Sequence, residues 1–394
     1  MFERCAGAVL ALMMLFGMLT GYARADVLSI GPMEDEAPMT LNCVSALLVE
    51  PDSGQIIFEM NADERRAVAS VTKIMSILLT IEAIEEGRIT LTDSVVISAN
   101  AAGMGGSQVL LDAGETQTVD VLLKSMSVGS ANDATVALAE HIAGSVQIFV
   151  DRMNERAREL NMGDTHFVNA TGLPAEGHYT TARDVARMAL ELAKHELYYQ
   201  YSTVWLDEVQ HESGRSTSLT NTNRLIRLYE GCDGLKTGST NEAGYCMAAT
   251  AKRGDMRLIA VVLGADTGKE RFSIASEMMD YGFANYRRYP VTEKGAKVRG
   301  QMPVTGGSSD ALTLELAEDL TLLVRRGDEQ QIRLQANLPE QASAPIEKGE
   351  HMGSVDVLLG DRVVGRVQVV AAESIGRRRF SDGFRQVLQL WCFQ

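Results

Sequence analysis

The chain has 394 residues, 45% hydrophobic and 23% charged, which are the proportions of a globular protein of two or three domains with a sizeable core. Its formal charge of −15 argues against a nucleic-acid partner. The six histidines are scattered and no Cys/His cluster has zinc-ligand spacing, so neither a metal nor another cofactor is expected.

Residues 1–25, "MFERCAGAVLALMMLFGMLTGYARA", combine a charged start (Glu3, Arg4), an apolar stretch and small residues at Ala23 and Ala25. That is the pattern of a secretory signal, with Asp26 opening the mature chain. An uncleaved membrane anchor is the alternative, although the apolar stretch is short for a spanning helix. No later segment approaches the roughly 20 apolar residues that a further span needs. In an exported chain disulfides are permitted. Cys43, Cys232, Cys246 and Cys392 remain after the leader, and only Cys232 and Cys246 are close in sequence. They either bridge a hairpin or serve as two small buried hydrophobes.

Residues 41–60 read as two strands around a Pro-Asp-Ser-Gly turn. Helical periods follow at 70–87, 118–129, 132–143, 146–161 and 181–195, then strand-like runs at 244–251 and 256–264, then a helical pattern at 269–286. Strands at both ends with helices between them predict one antiparallel sheet covered by helices, an α+β domain over 26–289. After Tyr289-Pro290 the helical period disappears. Short alternating segments separated by Gly, Pro and Asp predict a small all-β domain over 290–375, with a hairpin turning at Gly360-Asp361. The tail, 376–394, begins with Arg377, Arg378 and Arg379 and then spaces Phe384, Val387, Leu388 and Trp391 three or four residues apart. This suits an amphipathic helix at a membrane surface, and equally a terminal helix packed on the β domain.

Ser70 and Lys73 stand three residues apart in "AVASVTKIMSILL". On a helix their side chains lie 60° apart and can touch, while Val71, Ile74, Met75 and Leu78 form an apolar stripe. Periodicity alone favours a bland reading in which Thr72, Lys73, Ser76 and Thr80 make a solvated arc. A serine hydroxyl needs a base to act as a nucleophile, and a lysine serves only when burial or nearby positive charge keeps it neutral. Two other fragments offer such company. Ser130-Ala131-Asn132 opens a helical pattern, and Lys236-Thr237-Gly238 precedes the strand at 244–251, fitting the end of an edge strand. Taken singly, the first reads as a helix cap and the second as a turn.

In this order, S-x-x-K, S-x-N and K-T-G form a set shared by penicillin-binding proteins and class A β-lactamases, the latter with S-D-N in the middle. The chain resembles the low-molecular-mass penicillin-binding proteins that are serine-type D-alanyl-D-alanine carboxypeptidases, peptidase family S11. The resemblance extends through "GGSQVLLDAGE" (105–115), "GDTHFVNATGLPAEGHYTTARDVA" (163–186), "GLKTGSTNEAGYCMAAT" and "RLIAVVLGAD", covering nearly all of 40–286. It implies a β-lactamase/transpeptidase-like catalytic domain followed by the small β domain and tail. It also implies that Ser70 attacks the bond between the last two D-alanines of a peptidoglycan stem peptide, with Lys73 as proton acceptor. Ser130 would relay a proton to the leaving amine beside Lys236, and Asn132 would bind the substrate amide. Lys236 and Thr237 would hold the terminal carboxylate, and the backbone N–H groups of Ser70 and Ser239, across Gly238, would form the oxyanion hole. β-Lactams would be covalent inhibitors, and the enzyme would act at the extracytoplasmic face of a bacterial membrane.

Ala131 replaces the aspartate usual in β-lactamases, and no E-x-x-L-N segment supplies a deacylating glutamate, so a slowly hydrolysed penicilloyl adduct is expected. His166 and His178 are assigned structural roles, Asp133 to a helix first turn, and Met75, Met126 and Met188 to the core. The rival readings are a D,D-endopeptidase that cleaves cross-links with the same residues, and a non-catalytic β-lactam sensor or wall-binding module.

Overall fold

The computed structural model describes residues 39–379. The expected signal at 1–25 and the apolar stripe Phe384–Trp391 lie outside the described residues.

The turn formers at 51–54 join β1 (Ser45–Glu50) to β2 (Gln55–Met60). The sheet is completed from the far end of the domain by β3 (Cys232–Thr240), β4 (Gly244–Arg253) and β5 (Met256–Ala265). The order is β2-β1-β5-β4-β3, antiparallel throughout, which leaves β3 at an edge. Both faces of the sheet are covered, so β5 reads as an unbroken apolar run rather than an alternating one. Its side chains nevertheless divide with period two. Ile259, Val261 and Leu263 join Leu47 and Val49 in one core, while Leu258, Ala260 and Val262 join Ala46 and Leu48 in the other.

The first core is filled by helices α1 (Lys73–Glu85), α2 (Val119–Val128), α3 (Asn132–Ala143), α4 (Val146–Glu159) and α5 (Ala182–Leu192). Ser145 and Thr181 cap α4 and α5 with side-chain hydrogen bonds, so these helix starts were legible in the sequence. The second core is closed by α6 (Gly268–Asn285), which lays Ile274, Ala275, Met278 and Met279 on the sheet. Ile274, Met278 and Met279 each contribute about 1.5–3 kcal/mol when fully buried. Met75, Met126 and Met188 are core residues, as expected.

The solvated arc is not there. Helix α1 runs through the middle of the domain with Lys73, Ser76 and Thr80 as buried as its apolar residues. Ser76 donates to Ala170 O (2.7 Å) and Thr80 to Ser76 O (2.8 Å), so the hydroxyls are satisfied without water. A wheel assigns one face inward, but here neighbouring elements cover α1 from all sides.

A strand at Tyr286–Thr292 leads into the β domain and pairs with Leu320–Arg325. The domain's main sheet orders Leu314–Leu316, Arg362–Ala371, His351–Leu359 and Ile332–Asn337, and packs Met302, Val304, Val355, Val367 and Val369 into its own core. Leu359 pairs with Arg362, so the two-residue turn falls at Gly360-Asp361, with Gly360 at φ +62° as such a turn demands.

Candidate active site

Ser70 does not sit on the long helix itself. It belongs to a single 3-10 turn, Ala69–Thr72, that feeds into α1. Ala69 takes φ +50°, a left-handed conformation that costs a non-glycine residue about 1–3 kcal/mol. Two glycines let other chain segments close on this turn. A side chain at Gly172, itself at φ +79°, would overlap the Ala69 carbonyl. One at Gly238 would place its Cβ 2.7 Å from both Ser70 N and Val68 O. The glycine of K-T-G is therefore what brings edge strand β3 against the backbone N–H of the serine.

Lys73 is the first residue of α1 and is fully buried. Its Nζ donates to Ser70 Oγ (3.0 Å) and to Thr171 O (2.8 Å). Burial, and after it the charge of Lys236, push its pKa well below the ordinary lysine value, against a smaller opposing pull from Asp133. Lys236 is buried in β3, where Nζ donates to Thr237 O (3.2 Å). Its pKa is lowered to about 7 by burial first and Arg271 second.

Ser130 precedes α3 with φ +61°. Its buried Oγ has no hydrogen-bond partner within the described protein, nor has Asn132 Oδ1. The helix-cap reading of this motif fails, because α3 has no side-chain cap bond. Asn132 instead clamps a loop: its Nδ2 donates to Gly105 O (2.7 Å) and its backbone N to Ser107 O (2.7 Å). Asp133 lies in the first turn of α3 as expected, and its carboxylate does more than complement a dipole. It accepts from Val109 N (3.1 Å), Leu111 N (3.1 Å) and Ala134 N (2.9 Å), fixing the 105–111 segment beside the cleft.

Thr237 and Gly238 are buried and Ser239 is exposed, so β3 passes from the interior to solvent at this point. The K-T-G stretch is neither a turn nor a strand end but the inner part of an edge strand. His178 is structural. Its Nδ1 accepts from Val168 N (3.1 Å), so Nε2 donates to Thr72 Oγ1 (2.8 Å), and burial lowers its pKa to about 4. His166 bonds Gly177 O (2.8 Å). Cys43, Cys232 and Cys246 are free thiols. Cys232 and Cys246 pair with Ala251 and Gly238, far apart along the β3–β4 ladder, which removes the hairpin-bridge alternative. Sequence reading missed Arg271, which reaches from α6 to donate to Gly238 O (2.9 Å) and Cys246 O (3.3 Å). No local pattern marks it, since the contact spans 33 residues.

A serine beside a buried, deprotonatable lysine, with two orphaned polar atoms from the 130–132 stretch at the start of α3, defines an active-serine acyl-transfer enzyme. The comparisons give the family. Residues 32–267 match the D-alanyl-D-alanine carboxypeptidase family and residues 286–377 the C-terminal domain of penicillin-binding protein 5. The chain is 37% identical to D-alanyl-D-alanine carboxypeptidase DacF of Bacillus subtilis over 97% of both chains. It is 32% identical to DacC of Escherichia coli over 86% of both. Penicillin-binding protein 5 of Haemophilus influenzae superposes with a TM-score of 0.76 at 28% identity, covering 87% of this chain and all of that one. This chain belongs to the D-alanyl-D-alanine carboxypeptidase family, peptidase S11.

Two outcomes are expected. Gly238→Ala, which must push β3 away from backbone atoms that cannot yield, should lower stability by about 1–3 kcal/mol and the rate of Ser70 acylation by about 10²-fold; parent-like acylation would show that β3 can shift freely. Lys236→Met should stabilise the fold near neutral pH by about 1–4 kcal/mol. The sign follows from the lowered pKa: below about 7 the folded state bears the full penalty of a buried charge, and between 7 and the unfolded value of about 10.4 the parent gains stability as pH rises. The variant's advantage in thermal unfolding should therefore shrink from pH 7 to 10, and an advantage independent of pH would contradict this account.

Proposed function

We propose that this enzyme removes the terminal D-alanine from peptidoglycan stem peptides through an acyl ester on Ser70. The observation that carries the reading is the fully buried Lys73 amine 3.0 Å from Ser70 Oγ. Neutral Lys73 takes the hydroxyl proton as Oγ attacks the penultimate D-alanine carbonyl. The oxyanion develops between the backbone N–H groups of Ser70 and Ser239, which the absence of a side chain at Gly238 brings together; one such donor typically contributes about 2.7–4 kcal/mol. Ser130 Oγ, with no hydrogen-bond partner among the described residues, passes a proton to the departing amine with Lys236 alongside. Asn132 Oδ1 accepts from a substrate amide N–H while Nδ2 stays on Gly105 O. Lys236 and Thr237 hold the terminal carboxylate. Water then cleaves the ester, with Lys73 again accepting a proton.

β-Lactams acylate the same serine. Asp133, the carboxylate that bears electrostatically on Lys73, is committed to three backbone donors, and the segment over Lys73 presents the Thr171 carbonyl. Neither group therefore offers a second base to a deacylating water, which supports a long-lived penicilloyl adduct. For the chain as a whole we propose a signal at 1–25, a catalytic domain at 26–289, a β domain at 290–375 and a tail at 376–394 that holds the exported enzyme on the membrane surface. Among the described residues no helix is long and apolar enough to cross a membrane.

Mature protein from Asp26 should release D-alanine from a peptide ending in Lys-D-Ala-D-Ala, and Ser70→Ala should release none and resist labelling by fluorescent penicillin. Cleavage of purified cross-linked dimers without D-alanine release would instead favour the endopeptidase. Deleting 377–394 should move the protein from the membrane fraction to the soluble fraction, and unchanged association after confirmed signal cleavage would remove the anchoring role.

A further inference from the structure

A groove of about 1000 Å³ runs beside the cleft, lined by Trp205, Arg224, Arg227, Lys269, Arg271 and Phe272. It adjoins the proposed catalytic residues on two sides. Thr222, on its wall, donates its N–H to Val128 O (3.1 Å), two residues before Ser130. Arg271 donates to Gly238 O, inside the K-T-G stretch. Ser130 and Lys236 flank the departing amine in the mechanism above, so the groove lies on the leaving-group side of the scissile bond.

Its charge is out of keeping with a chain of net −15. Arg224, Arg227 and Lys269 have no carboxylate partner among the described residues. Arg227 lies over the Trp205 ring at 5.3 Å. Lys269 stands in the first turn of α6, the positive end of the helix dipole, where a cation is disfavoured. Of the neighbouring acids, Asp266 Oδ2 and Glu270 Oε1 both accept from Asn42 Nδ2 (3.4 and 3.1 Å). Arg271 is already bonded to two carbonyls, leaving the other three cations to face the groove's contents. A cluster of uncompensated positive charge in a concave site concentrates anions there.

We propose that this groove is a subsite for a second carboxylate on the leaving group, so that the enzyme favours substrates whose residue after the scissile bond is acidic. The proposal rests on the carboxypeptidase reading. The bond broken is the same amide: Ser70 Oγ bonds to the acyl carbon, the amine leaves with the relayed proton, and water returns the serine, releasing an acidic D-amino acid. Arg224, Arg227 and Lys269 act on specificity by pairing with the extra carboxylate.

The test compares blocked Lys-D-Ala-D-Glu with its neutral isostere Lys-D-Ala-D-Gln, and Lys-D-Ala-D-Ala as reference. The kcat/KM ratio of D-Glu over D-Gln should be about three- to tenfold in low salt, the scale of a few partly exposed ion pairs. It should fall toward one in high salt. In Arg224→Gln/Arg227→Gln/Lys269→Gln the ratio should approach one at any salt; Lys269→Gln alone, with a smaller fall, serves if the triple variant does not fold. A parent ratio of one or below, or a preference untouched by the substitutions, overturns the proposal. So does inhibition by inorganic phosphate that is equal for the D-Glu and D-Gln peptides and comes without any preference between them, which would mark a general phosphate site. Failure to release D-alanine from the reference peptide would instead overturn the carboxypeptidase reading and the subsite with it, whereas reference turnover without an acidic preference overturns the subsite alone.

Discussion

Everything at the centre of this enzyme depends on keeping the Lys73 amine out of water and within reach of Ser70. An exposed lysine would stay protonated at neutral pH and could not act as a base, whereas a fully buried one loses its proton readily. The fold achieves the burial by placing α1 in the interior of the helical core rather than on its surface. The 163–186 segment then closes over it: Thr171 contributes a carbonyl to the amine, and Gly172 lets the loop press against the Ala69 carbonyl. The left-handed φ of Ala69 belongs to the same device, since it ends the preceding chain and starts the 3-10 turn in one residue.

Two lysines are buried around one serine, and each is shifted by its own surroundings. Each is destabilised as a cation mainly by burial. Lys73 is in addition opposed by Lys236, and Lys236 by Arg271. Lys236 is lowered to about 7 and Lys73 is pushed well below the ordinary lysine value; in the proposed reaction the first would meet a substrate carboxylate and the second would serve as the base. Arg271 therefore acts at a distance: it shapes β3 through the Gly238 carbonyl and also lowers the charge carried by Lys236.

The order of the fragments around Ser70, Ser130 and Lys236, and the alternation of helices and strands, were legible because each depends on local pattern. So was the Gly360-Asp361 hairpin, whose turn residues announce its geometry. The solvated arc of α1 was misread for a physical reason: helical periodicity reports which face is most apolar, but not whether other elements cover the remaining faces. Ser76 and Thr80 disclose their burial only through long-range or i−4 carbonyl partners. Asp133 was placed in the right turn and given too small a role, because its partners at 109 and 111 are visible only in space. Gly172, Gly238 and Arg271 share this limit. Nothing next to them in sequence records the backbone or carbonyl they approach.

The edge position of β3 ties these features together. An edge strand leaves one row of backbone donors and acceptors without a strand partner, a hazard in most proteins and, in the proposed reaction, a template on which an extended peptide would lie. Strand register would then decide which substrate atoms meet which side chains, because a peptide paired with β3 would present its residues at fixed intervals along the strand. The 3-10 turn bearing Ser70 is packed against that same strand at Gly238, so the nucleophile is held relative to the strand that would align the peptide. Precision in this site comes from backbone contact between rigid elements, with the side chains completing a geometry that the glycine has already set.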